Sequence, residues 1–158
     1  MGTTSARHFI GTIEPFVPSH LPDIQAFWVE SWVRTMPAID FAARRDWLGD
    51  HLTALAARGV AIRVAVADDG TLAGFVTVDP SDGHLDQICV APTWWGGGVA
   101  EALLEDARGL SPDRLVLDVN ADNPRAIAFY VRSGFVETAR AVNPRSGLPI
   151  VRMQWTRR

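Results

Sequence analysis

The 158-residue chain has no lysine: all 15 of its basic residues are arginine. It has one cysteine, Cys89, and one tyrosine, Tyr130. A lone cysteine cannot close an internal disulfide, so a reducing, intracellular compartment is expected. No apolar run reaches the roughly 18 residues of a membrane-spanning helix. The stretch from Met1 to His8 lacks the apolar core of a signal peptide, so a cytoplasmic protein with loose residues 1–7 is expected. Net charge is −3. No strongly basic face is expected, which argues against nucleic acid as a partner. His8, His20 and His51 show no ligand spacing with Cys89 or one another, so no metal is expected.

What is present is the pattern of one globular domain. Hydrophobic residues make up 47% and charged residues 21% of the chain, both near globular averages. No repeat, low-complexity segment or linker divides it. A weak alternation over His8 to Val17 reads as a first strand, ended by Pro15 and Pro18. Ile24, Phe27, Trp28, Ser31 and Trp32 recur at helical spacing, and Met36-Pro37 stops that helix. Phe41, Leu48, His51, Leu52 and Leu55 mark a second helix, ended at Arg58-Gly59.

The period then changes to two. Ala61 to Ala67 reads as a strand with Ile62, Val64 and Val66 on one face. Asp68-Asp69-Gly70 turns it into Leu72 to Val78, and Leu85 to Val90 follows. Pro92 forces that strand to end or bulge. Gly96 to Gly109 reads as a turn and a helix, and Arg114 to Val119 as a strand. Asn123-Pro124 opens a helix that Gly134 closes. Phe135 to Ala141 and Ile150 to Thr156 are the last strands. This order predicts a mixed α/β (α+β) fold: a mostly antiparallel central sheet of about seven strands flanked by four helices.

A strand that runs into Gly96-Gly97-Gly98 and then a helix is a ready anion site. The first helical N–H groups lack internal partners, and the helix dipole adds positive potential there. No Gly-Lys-Ser/Thr follows, so this is not a P-loop. The spacing also departs from the dinucleotide-binding fingerprint.

Two segments together resemble the GNAT superfamily of N-acetyltransferases. The first is Ile88-Cys89-Val90-Ala91-Pro92 leading to Trp95-Gly96-Gly97-Gly98-Val99-Ala100. It looks like the family's Val-x-Pro strand end and Gln/Arg-x-x-Gly-x-Gly/Ala motif. The second is Asn123-Pro124-Arg125-Ala126 leading to Phe129-Tyr130 and Gly134-Phe135.

The resemblance implies one acyl-CoA-dependent N-acyltransferase domain over residues 1–158, with acetyl-CoA as co-substrate and no metal. The amides of Gly96, Gly97, Gly98, Val99 and Ala100 would hold the coenzyme A pyrophosphate. The strand Ile88, Cys89, Val90 would pair with the pantetheine arm, almost as an added strand. Asn123 and Ala126 would contact the arm, and Tyr130 would stand near the thioester sulfur. Trp95 occupies the Gln/Arg position and Gly97 an often basic one. The turn therefore carries no side-chain cation, so the pyrophosphate would be held by amides and dipole alone, and Arg125 or Arg132 is left to supply charge to a more distant phosphate.

The acceptor would be a primary amine of a small molecule or a protein, attacked directly in a ternary complex by a monomer or homodimer. Tyr130 suits the proton donor to the leaving thiolate. Amides near Ile88 to Val90 suit the oxyanion. By period-two alternation Asp86 shares a strand face with Ile88 and Val90, with His84 two residues back, so Asp86 reads as the general base. Cys89 has no basic sequence neighbour and reads as a small buried side chain. Phe27, Trp28, Trp32 and Trp47 read either as core or as an acceptor border, and loop 143–147 as a second border. A non-catalytic acyl-CoA-binding domain and a longer acyl-CoA stand as alternatives.

Overall fold

The computed structural model describes residues 7–158. Four strands, β1 (Gly11–Pro15), β2 (Ala61–Ala67), β3 (Leu72–Val78) and β4 (Leu85–Val90), form one antiparallel sheet in that order. Three more, β5 (Arg114–Asn120), β6 (Val136–Val142) and β7 (Pro149–Thr156), form a second sheet in the order β5-β7-β6. A single parallel bridge, His84 to Val116, joins β4 to β5. The seven strands thus make one open, mostly antiparallel surface that splits between β4 and β5. That is the predicted fold class.

Helices α1 (Leu21–Thr35), α2 (Arg45–Ala57), α3 (Val99–Leu110) and α4 (Pro124–Arg132) cover it. The faces follow from side-chain contacts. Phe75 of β3 packs against Phe27 of α1, with ring centroids 6.1 Å apart. The opposite face meets α3: Arg63 Nε of β2 donates to Asp106 Oδ2 at 2.9 Å. A Cβ added at Gly74 would sit 3.1 Å from Val99 Cγ1. Because both faces are covered, Ala65 and Ala67 are buried as well as Ile62 and Val64, and Val66, opposite the irregular start of β3, is half-buried. Phe75, Phe135, Leu48, Leu52, Leu103, Leu115 and Met153 fill the core. Each such burial contributes about 1.5–3 kcal/mol.

Two local features position the site. Val76 pairs with Ile88 and Val78 with Leu85, so Asp86 and Gln87 both stand opposite Thr77. This is a β-bulge. Its unpaired Gln87 N–H donates to Thr77 Oγ1 at 2.9 Å, which explains a fully buried threonine in an apolar strand.

The other feature is at the chain's start. Six of the seven residues expected to be loose, 1–6, lie outside the described residues. The seventh, Arg7, is fixed: Nη2 donates to Asp69 Oδ2 at 2.6 Å, and the guanidinium covers the Trp94 ring. Phe9 N–H donates to the Gly97 carbonyl oxygen at 2.8 Å.

Candidate active site

The split between β4 and β5 opens a cavity of about 470 Å³. Its walls are β4, β5, the turn before α3, and parts of α1 and α4. Every residue expected to bind the cofactor lines it except Gly97: Ile88, Cys89, Val90, Trp95, Gly96, Gly98, Val99, Ala100, Asn123, Ala126, Tyr130 and Arg132. Asp86 lines it too.

At one end, β4 ends before Pro92, and residues Pro92–Trp94 form a 3-10 turn. Gly98 caps α3 with φ of 94°, a left-handed conformation that glycine adopts without strain. The next amides, from Val99 to Glu101, are the orphan donors of the first helical turn.

Gly97 departs from the sequence reading. Its N–H donates to the Trp94 carbonyl at 3.1 Å, and its own carbonyl accepts from Phe9. A Cβ there would collide with the Arg7 carbonyl oxygen. Gly97 is a glycine because the segment Arg7–Phe9 lies on it, and its amide is removed from the anion set.

Along the middle of the cavity, β4 pairs with β3 on one side. Its other edge runs free of β5 beyond the His84–Val116 bridge. Asn123 accepts from Ala126 N–H at 3.2 Å and so caps α4. Tyr130 is buried between Phe129 and Phe135. Burial, and secondarily the neighbouring Cys89, pushes its hydroxyl well above the ordinary phenol range, so it keeps its proton. Burial pushes the Cys89 thiol up to about 12, against a smaller opposite effect of the Ser31 hydroxyl. Cys89 is thus an inert wall residue, as expected from the sequence.

At the other end the bulge overturns the strand-face reading. Ile88 and Val90 stand opposite Val76 and Gly74, on the α3 face. Asp86 instead faces α2, where its Oδ2 meets His51 Nε2 at 2.5 Å. Gln87 faces α1 and accepts from Trp28 Nε1 at 3.3 Å. The extra residue shifts the alternation by one, so the two adjacent side chains reach the same pair of helices. His84 sits at the β4–β5 junction and does not line the cavity.

The aromatic residues divide. Phe27 and Trp28 are core. Trp32 lines the cavity, stacked on Phe41 at 5.5 Å. Trp47 stacks on His51 at 4.5 Å, and Arg145 of the β6–β7 loop covers it at 4.3 Å. Asn143 of that loop lines the cavity. His51 and Gln87 were missed as site residues in the sequence. The consecutive polar pair Asp86-Gln87 inside an apolar strand was the available signal for the bulge. A histidine between Leu48 and Leu52 was the signal for His51.

Among the described residues no cluster of His, Cys, Asp or Glu is arranged to hold a metal ion. No helix among them is long and apolar enough to cross a membrane.

A split sheet with a glycine-rich helix start at its cleft matches known proteins. The model of the acetyltransferase (GNAT) family matches residues 21–135. The chain therefore belongs to the GNAT acetyltransferase family. It is 35% identical over 78 residues to peptidyl-lysine N-acetyltransferase YjaB of Salmonella typhimurium, covering 49% of this chain and 52% of that one. It is 32% identical over 126 residues to mycothiol acetyltransferase of Salinispora tropica, covering 70% of this chain and 38% of that one. The chain thus spans about half or less of the length of these curated relatives. In fold it resembles a phosphinothricin acetyltransferase from Sinorhizobium meliloti solved in complex with AcCoA. The TM-score is 0.73 at 17% identity, over 92% of this chain and 88% of that one.

Proposed function

We propose that residues 1–158 form one N-acetyltransferase domain. It moves an acetyl group from acetyl-CoA to a primary amine by direct attack in a ternary complex. The observation that carries this reading is the cleft itself. It runs unbroken from the donor-rich start of α3, past the free edge of β4, to Tyr130.

The cavity suits the coenzyme. The orphan amides of α3 favour an anion, and an unpaired strand edge favours an amide-bearing arm. Bound there, acetyl-CoA supplies the activated acetyl group and a thiol leaving group. This chain's residues do the rest. Val99 and Ala100 present amides to phosphate. The edge of β4 at Ile88 to Val90 aligns the arm and presents N–H donors to the carbonyl oxygen. Tyr130 keeps its proton at neutral pH and donates a hydrogen bond to the departing thiolate, which leaves as the weaker base. Asp86, held by His51, takes the proton that the acceptor ammonium must lose, directly or through water.

The acceptor is a small-molecule or protein amine. The two curated relatives carry one name of each kind, peptidyl-lysine and mycothiol.

The deciding experiment is thiol release from acetyl-CoA over a panel of small amines and lysine peptides, with Tyr130→Phe beside the wild type. Turnover that falls in Tyr130→Phe while acetyl-CoA affinity holds supports the reading. Tight acetyl-CoA binding with no turnover on any amine favours a non-catalytic acyl-CoA-binding domain.

A further inference from the structure

The turn before α3 carries no side-chain cation, and Glu101 of the helix's first turn brings a carboxylate to the same cavity. Backbone amides there would face a doubly charged pyrophosphate beside a like charge. Two guanidinium groups line the cavity, Arg125 and Arg132. They stand seven residues apart on α4, about 10 Å along its axis.

Of the two, Arg125 touches the turn. Its guanidinium carbon lies over the Trp95 ring, 5.3 Å from the centroid, within cation–π range. Both partners are held. Trp95 Nε1 donates to the Val90 carbonyl at 2.9 Å, which anchors the ring to the end of β4. Arg125 follows Pro124 in the first turn of α4, whose start Asn123 caps. A guanidinium held at a ring by cation–π attraction keeps N–H groups for other partners, and its fork suits bidentate phosphate binding.

We propose that Arg125, seated on Trp95, is the cation that grips the coenzyme pyrophosphate. The charge comes across the cavity from α4 instead of from the turn. Trp95 is the platform that holds it there. This rests on the acetyl-CoA reading above.

The test is binding by calorimetry of three probes: acetyl-CoA, acetyl-dephospho-CoA and phosphate-free S-acetylpantetheine. Arg125→Gln is expected to weaken both phosphate-bearing probes about tenfold or more and leave S-acetylpantetheine within twofold. Arg125→Lys keeps the charge but not the fork, and should recover only part of the loss. Trp95→Leu should lose a similar factor for the same two probes. Salt should weaken acetyl-CoA binding more steeply in wild type than in Arg125→Gln.

Undiminished acetyl-CoA affinity in Arg125→Gln overturns the proposal, as does an equal loss for S-acetylpantetheine. A loss confined to acetyl-CoA and absent for the dephospho form overturns the pyrophosphate assignment. A wild type that binds none of the probes overturns the coenzyme reading itself. Arg125 is exposed, so an unchanged melting temperature separates lost binding from lost folding.

Discussion

His51 Nε2 and Asp86 Oδ2 meet at 2.5 Å across the gap between α2 and the bulge of β4. The pair is about three-quarters buried. It links a carboxylate at the cavity wall to an imidazole that is itself stacked on Trp47. Asp86→Asn keeps the shape and removes the charge. We expect turnover to drop roughly 10²-fold, in the range of a lost general base, with acetyl-CoA affinity within twofold. His51→Gln should lower turnover less. Steady-state kinetics with any acceptor from the amine panel checks both, and full activity in Asp86→Asn refutes the base.

Thr77→Val tests the bulge. It is nearly isosteric but removes the hydroxyl that accepts the Gln87 N–H. A buried donor left unpaired costs about 1–3 kcal/mol. Urea unfolding should register that loss. Turnover should also fall, because the same amide sets where Asp86 points. A variant as stable as wild type would show that the bulge holds without the threonine.

Gly97→Ala should disturb the start of the chain before it disturbs the cofactor end. The new methyl would collide with the Arg7 backbone, so the segment carrying Arg7 and Phe9 must lift off Trp94. Limited proteolysis should cut between Arg7 and Ile10 faster than in wild type. An unchanged cleavage rate would refute the packing. Gly98→Val should instead abolish acetyl-CoA binding, since φ of 94° is strained for any branched residue.

Alkaline stability is governed by very few groups, because there is no lysine. Cys89 loses its proton near pH 9 in the unfolded chain and near 12 when folded. Between those values the unfolded state binds fewer protons, so stability falls as pH rises. It is unaffected by this group below pH 9. The slope is about 1 kcal/mol per pH unit. Tyr130, also raised, adds to the slope from about pH 10. Urea unfolding at pH 8, 9 and 10 should show a flatter curve for Cys89→Ala than for wild type between pH 9 and 10. Equal slopes would refute a buried, inert thiol.

Most strands and helices were legible from local pattern. Ala61–Ala67, Leu72–Val78 and Leu85–Val90 fall where the alternation and turns place them. Pro37, Pro92, Pro124 and Gly134 bound elements because ring, missing N–H and left-handed backbone act locally. The cofactor end was legible for the same reason: a glycine turn and a helix start are neighbours in sequence. The cavity's other end was not. Asp86 meets His51 across 35 residues of sequence, and a one-residue bulge decides which face it takes.

The order of elements, the family motifs and the turn from Gly96 to Ala100 could be read from local sequence alone. These depend on residues a few positions apart. Packing in three dimensions sets the split of the sheet at His84–Val116, the seat of Arg7 and Phe9 on Gly97, and the place of Arg125 on Trp95. Each of these is a contact between distant segments. Its partner is set by how strands and helices pack, which no local pattern encodes.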